Sequence, residues 1–193
     1  MVVSMTLDPQ RTALLVMDLQ ADVVAMLGAP AAALVERAAP VIDAARNLGA
    51  AVIYVVVGFR PGYPEVSPRN ATFSTLINSG RFTGNPGADI PAPIAPRPGD
   101  VVVCKHRVGA FHGTDLDQIL RAKGIENLVM LGIATSGVIL STTRFAADAD
   151  YRCTIVRDCC ADRDDEVHRV LLDKVLARQA TILTAAEAIA ALS

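Results

Sequence analysis

Leu128-Val-Met-Leu-Gly-Ile-Ala-Thr-Ser-Gly-Val-Ile-Leu-Ser-Thr-Thr143 opens as an apolar run, breaks at Gly132 and resumes as a small-residue helix from about Val138. A short apolar run bounded by glycine reads as a strand buried on both faces of a parallel sheet. The turn that follows is built from Gly132, Ala134, Thr135, Ser136 and Gly137. Small residues there let backbone N–H groups converge on one point, with the positive end of a helix dipole behind them. Such a turn suits an oxyanion or an attacked carbonyl, and it equally suits a plain strand-to-helix connection.

The same alternation extends on both sides of that stretch. Thr12–Met17 is a first buried strand ending at Asp18-Leu-Gln20, and Ala50–Val57 is a second after an Ala-rich helix from Ala31 to Leu48 closed by Gly49. Asp100–Cys104 is a third strand, and Thr114 is the expected N-cap of a helix running to about Lys123. Beyond the opening stretch, whose helix runs to about Asp150, Tyr151–Val156 is a fifth strand closed by Arg157–Asp162. Asp164, Asp165 and Glu166 crowd the first turn of the next helix, where negative charge favours the dipole. Ala180–Leu183 is a short last strand and Ala185–Leu192 a closing helix. Six alternations of strand and helix predict an α/β fold: a doubly wound, mostly parallel six-stranded sheet with helices on both faces, Rossmann-like in three layers. Residues 1–193 read as a single domain.

Composition narrows the setting. Hydrophobic residues make up 52% and aromatics only 4%, so the core is Ala, Val, Ile and Leu, as helices packed on a parallel sheet require. A net charge of −2 predicts neither a nucleic-acid nor an anionic-membrane partner. No apolar run reaches membrane-spanning length and Met1–Gln10 carries no signal-peptide pattern, so a cytoplasmic protein is expected. Cys104, Cys153, Cys159 and Cys160 lack zinc-type spacing and read as buried free thiols. With no His-x-His or carboxylate–His cluster, neither a metal nor another cofactor is expected.

Gly58–Pro98 holds most of the chain's 11 prolines and only one short helical segment, near Phe73–Asn78. Loops of this length serve function or oligomer contacts, and with the aliphatic composition this predicts a homo-oligomer, a dimer or higher. Arg60, Arg69 and Arg81 lie in the loop, and solvent is the expected place for each. If the strand order is 3-2-1-4-5-6, strands one and four flank the switch point. Asp18 then lies beside the Ala134–Val138 turn, within reach of the long side chain of Lys105.

These segments resemble the isochorismatase-like (cysteine hydrolase) superfamily over almost the whole chain. The marks are Leu15-Val-Met-Asp18-Leu-Gln20, Lys105-x5-Phe111-x2-Thr114-x-Leu116, Gly132-Ile-Ala-Thr135-x2-Val138-x3-Thr142, and Asp158 after the fifth strand. In that family an Asp, a Lys and a Cys form the site, and a non-proline cis peptide shapes the oxyanion hole. The resemblance puts Asp18 on the Asp, Lys105 on the Lys, Ile133–Ala134 on the cis bond and Val138 on the Cys. Gln20, Phe111, Thr135 and Gly137, within the matched segments, are then the expected substrate-binding residues.

Valine at 138 removes the thiol that the family's covalent route uses. The resemblance therefore implies a cysteine-independent hydrolase of a small anionic or carbonyl-bearing molecule, of vinyl-ether or amide type, with Asp18 as general acid or base. Isochorismatases, similarly cysteine-less there, carry Gly where this chain has Val138. The Asp-x-His metal pattern of nicotinamidases is missing, which argues against nicotinamide. Two alternatives stay open: a non-catalytic descendant that binds a metabolite or serves as a scaffold, and a relocated nucleophile at Cys159 or Cys160.

Overall fold

The computed structural model describes residues 7–85, 87 and 89–192, with the side chains of 29–32 left aside. The β-branched and leucine-rich runs form β1 (Thr12–Met17), β2 (Ala51–Val57), β3 (Val101–Lys105), β4 (Asn127–Ile133), β5 (Arg152–Ala161) and β6 (Ala180–Leu183). They make one six-stranded sheet in the order β3-β2-β1-β4-β5-β6, as expected from the alternation. Every strand pair is parallel.

The helices are α1 (Ala21–Ala25), α2 (Ala29–Leu48), α3 (Leu116–Ala122), α4 (Leu140–Asp148), α5 (Asp165–Val170) and α6 (Ala185–Ala191). Alternation along β1 decides which layer each residue joins. Leu14 and Val16 face a core with Leu34, Ala38 and Ile42 of α2 and Ala188 of α6. Ala13, Leu15 and Met17 face the other core, with Leu116 and Leu120 of α3 and Ala146 of α4. Each fully buried leucine contributes about 2 kcal/mol, so both layers are held by the same aliphatic chemistry. Gly49 ends α2 in the left-handed region (φ 83°), donating its N–H to Ala45 and Arg46 carbonyls.

The structure corrects several boundaries. β5 runs on through Arg157, Asp158 and Cys159 to Ala161, so Asp158 lies within the strand rather than after it. The register with β4 shifts between Met130 and Gly132, and this irregularity lets Gly132 pair with Cys160. The helix after β4 begins earlier than Val138, as a wide π-type turn over Thr135–Ile139 that leads into α4. The segment near Phe73–Asn78 contracts to a 3₁₀ turn at Ser74–Leu76. At the start of α3 Asp115 occupies the cap position, although the Thr114 hydroxyl does accept from Leu116 N at 3.3 Å. No helix among the described residues is long and apolar enough to cross a membrane.

Candidate active site

Asp18 leaves the C-terminal end of β1 in the left-handed region (φ 54°), a conformation that costs a non-glycine residue about 1–2 kcal/mol. Its backbone N–H is fixed by the Val55 carbonyl at 2.8 Å. Lys105 closes β3, two strands away, and its stem crosses the end of β2 to bring Nζ within 2.9 Å of Asp18 Oδ2. The pair is buried: the side chains are 2% (Lys105) and 10% (Asp18) exposed. Nζ also donates to the Arg107 carbonyl at 3.0 Å, which leaves one of the three ammonium N–H groups for a ligand. Asp18 Oδ1 is buried and has no hydrogen-bond partner among the described residues. Burial pushes the Asp18 carboxyl above its ordinary pKa, and the charge and hydrogen bond of Lys105 offset this only in part.

Asp18 and Lys105 open onto a cavity of about 470 Å³, walled on the β4 side by Ala134, Gly137 and Val138. Its position at the carboxyl ends of β1 and β4 is the switch point of the sheet. A larger recess of about 710 Å³ lies at the opposite edge, among Arg11, Glu126 and Arg152 at the strand starts. The Arg11 and Arg152 side chains there are spent on Glu126, so that recess offers little beyond an exposed ion-pair surface.

The peptide between Ile133 and Ala134 is cis. Ile133 itself turns into the α2-side core, while Ala134 faces the cavity. Val138 is 2% exposed and closes the floor beside Asp18 with an aliphatic surface. Two of the turn amides expected to face a ligand are engaged elsewhere: Ser136 N donates to Asp162 Oδ2 at 2.6 Å and Gly137 N to the Ala134 carbonyl at 3.0 Å.

Three residues expected to bind substrate do not line this cavity. The Gln20 amide is clamped on the main chain of Val57, accepting from its N at 2.8 Å and donating to its O at 3.0 Å. Gln20 therefore pins the end of β2 between Asp18 and Lys105. Phe111 stacks on Phe145 with ring centroids 4.4 Å apart, on the far side of the turn. Thr135 is wholly buried, its hydroxyl 2.7 Å from His168 Nδ1 and 3.2 Å from the Ala161 carbonyl.

The loop from 58 to 82 supplies the outer wall. It packs on its own small core of Phe59, Tyr63 and Val66 with Phe73, Leu76 and Phe82. The last three also face the cavity. Arg81, exposed as expected, also lines the cavity, and so does the exposed Arg163, which no sequence motif singles out. Both guanidinium groups donate to the Met26 sulfur, at 3.7 and 3.4 Å. Among the described residues no carboxylate pairs with either arginine. Arg60 is taken by Glu65, and Arg69 is exposed.

The thiols are elsewhere. Cys159 is fully buried in the α2-side core, and burial raises its pKa to about 12. Burial raises Cys160 further, and Cys160 faces a neighbouring recess rather than the Asp18 cavity. A protonated buried thiol is a poor nucleophile, which removes the basis for relocation to Cys159 or Cys160. Among the described residues no three of His, Cys, Asp and Glu converge as a metal site would need.

The family model described as the isochorismatase domain matches residues 12–187. The maleamate amidohydrolase of Pseudomonas putida is 30% identical over 159 residues, which cover 81% of this chain and 73% of that protein. A ureidoacrylate amidohydrolase of Rhizobium rhizogenes is 32% identical over 176 residues, covering 79% of this chain and 71% of its own length. A solved isochorismatase family protein from Burkholderia thailandensis superposes with a TM-score of 0.82 at 30% identity, over 97% of either chain. With the sheet order, the Asp18–Lys105 pair and a family match over nearly its full length, the chain belongs to the isochorismatase family.

Proposed function

We propose that the protein hydrolyses a small carboxylate-bearing metabolite without a cysteine nucleophile, with Asp18 moving the proton. The observation that carries this reading is the Asp18 carboxyl, with Oδ2 held by Lys105 and Oδ1 buried without a partner among the described residues. A buried acceptor without a hydrogen bond is costly, so its retention is best explained by a ligand or water that completes it. Val138 stands where the family resemblance places the nucleophilic thiol, and an aliphatic side chain cannot form an acyl-enzyme.

In the amide form of the reaction, water takes the place of the thiol. Ionised Asp18 accepts a proton from water as its oxygen bonds to the substrate carbonyl carbon. The remaining Lys105 N–H and its charge stabilise the developing oxyanion. Asp18 then returns the proton to the nitrogen as the C–N bond breaks. The raised pKa of Asp18 suits this exchange, since a carboxyl poised closer to neutrality both takes and gives a proton. The protonated form of the same group would serve a vinyl ether, giving its proton to the vinyl carbon before water adds.

Arg81 and Arg163 support an anionic substrate, since both guanidinium groups line the cavity and neither has a carboxylate partner among the described residues. The relatives named for maleamate and ureidoacrylate support the same class, because both names denote carboxylate-bearing amides. We read residues 1–193 as one such domain, acting in the cytoplasm, where four unpaired cysteines stay reduced, and as a homo-oligomer. No cofactor has a part in these steps.

The experiment is a turnover screen of isochorismate, small amides and imides, with and without a carboxylate, on the wild type and Asp18→Asn. Turnover that falls about a hundredfold or more in Asp18→Asn, the low end for an acid–base group, supports the reading. Tight binding with no turnover by the wild type favours a metabolite-binding descendant instead, the role that Val138 would also allow.

A further inference from the structure

The turn that carries Ala134, Gly137 and Val138 is held from behind by a histidine that touches nothing in the cavity. Thr135, the first residue of that turn, has its hydroxyl oxygen 2.7 Å from His168 Nδ1 and 3.2 Å from the Ala161 carbonyl oxygen. A hydroxyl has one proton and cannot donate to both. If Nδ1 is bare, the threonine proton goes to the imidazole and the Ala161 carbonyl loses this donor. If Nδ1 carries the hydrogen, His168 donates to Thr135 and Thr135 donates to Ala161, and every group in the chain is satisfied.

The second arrangement ties together the two segments that wall the cavity. Ala161 is the last residue of β5, and Asp162 and Arg163 follow it directly. Asp162 Oδ2 accepts from Ser136 N at 2.6 Å, a second tie between the same segments. Arg163 then reaches the cavity from one side of this seam, and Val138 from the other.

We propose that His168 is a positioning residue for the Asp18 cavity: as the Nδ1–H tautomer it acts through Thr135 to fix the Ala134–Val138 turn against the end of β5, and so the spacing between Val138 and Arg163. This rests on reading that cavity as the active site. The tie needs a hydrogen on Nδ1, and the surroundings favour the neutral ring as the form that carries it. Burial lowers the His168 pKa, assisted by Arg157 and opposed by Asp162, Asp165 and Asp173. Arg37, Arg163, Asp162 and Asp165 line, with His168, a recess of about 390 Å³. In water the Nε2–H form is the commoner neutral tautomer, so an Nδ1–H form is a signature of the tie and not of burial alone.

The test is nuclear magnetic resonance of the full chain at neutral pH, which needs no substrate. The ring nitrogens of His168 report the tautomer, and the Val138 methyl groups and Arg163 Nε–H report the two walls. The expected result is an Nδ1–H tautomer in the wild type that reverts to Nε2–H in Thr135→Val and persists in Thr135→Ser. His168→Asn, whose amide places an N–H near the Nδ1 position, should keep the Val138 and Arg163 signals, whereas His168→Leu should move both. An Nε2–H tautomer in the wild type overturns the proposal. So do Val138 and Arg163 signals that stay fixed in His168→Leu. If His168→Leu does not fold, the tautomer in wild type and Thr135→Val decides. Failure of the turnover screen would leave these signals unaffected, so the two readings fail separately.

Discussion

Met17 and Gly132 face each other across β1 and β4 so closely that a Cβ on Gly132 would lie 1.9 Å from the Met17 carbonyl oxygen. The contact brings the residue before Asp18 against the start of the turn that walls the cavity. Gly132 also holds φ at +139°, a region that side-chain-bearing residues rarely enter. Gly132→Ala must therefore push two central strands apart. The expected cost is about 3 kcal/mol or more, measured by urea unfolding, because backbone cannot move aside as a flexible side chain can. A loss below about 1 kcal/mol would show that the β1–β4 contact is softer than this geometry requires.

Asp18 gives stability a pH dependence whose sign can be worked out. Its folded pKa is raised above the ordinary 3.8, so the folded chain binds more protons than the unfolded one between those two values. Its contribution is greatest below 3.8 and is lost as pH rises to the folded value. The unfolding free energy of the wild type minus that of Asp18→Asn should fall across this window and then level off. Removing the carboxylate also strands the Lys105 charge at 2% exposure, which costs about 3–5 kcal/mol. Asp18→Asn/Lys105→Met should regain most of that loss, and a double mutant no more stable than Asp18→Asn would count against the pair.

Most of the sheet was legible because long β-branched runs leave little choice of element, and crossover rules leave little choice of order. Asp18 and Lys105 meet because strand order alone brings the ends of β1 and β3 to one edge. What the sequence hid follows from short or polar segments. α1, Ala21–Ala25, has five residues, too few for helical periodicity, and no side chain among the described residues caps it. β5 continues through Arg157 and Asp158 because tertiary contacts satisfy them: Asp158 Oδ1 accepts from Ala185 N at 2.7 Å, and Arg157 pairs with Asp173. Arg81 is exposed, as its loop position implies, and its place on the cavity with Arg163 depends on tertiary packing that nothing local marks. Gln20 lies in the segment that resembles the family's, yet its amide matches a main-chain donor and acceptor on β2.

Arg81 and Arg163 should separate binding from chemistry. Among the described residues neither is hydrogen-bonded or ion-paired to Asp18 or Lys105, and each offers a guanidinium to a ligand anion. Arg81→Gln and Arg163→Gln should each weaken a carboxylate-bearing substrate about 10- to 100-fold in KM, the range for losing a hydrogen bond to a charged group. The kcat should change much less, and neutral analogues should be insensitive to both changes. Equal losses for charged and neutral substrates would assign the arginines to the shape of the cavity rather than to anion recognition.

Val138→Cys tests the cavity without any substrate. The native thiols are poor nucleophiles by environment: burial raises Cys153 to about 11 and Cys159 to about 12, and moves Cys104 and Cys160 upward as well. A thiol at 138 would instead stand on the cavity wall beside the Lys105 ammonium, which favours thiolate, and the Asp18 carboxyl, which can accept its proton. Iodoacetamide should label Cys at this position at least about tenfold faster than any native cysteine, read by peptide mass spectrometry over time. Asp18→Asn in the same background should slow that labelling, since it removes the proton acceptor and leaves the shape. Cys159→Ala and Cys160→Ala should leave both the labelling and any turnover intact. Slow labelling at 138 would mean that the pair does not activate a neighbouring thiol, and Asp18 would then be a structural ion-pair partner of Lys105 rather than the group that moves the proton.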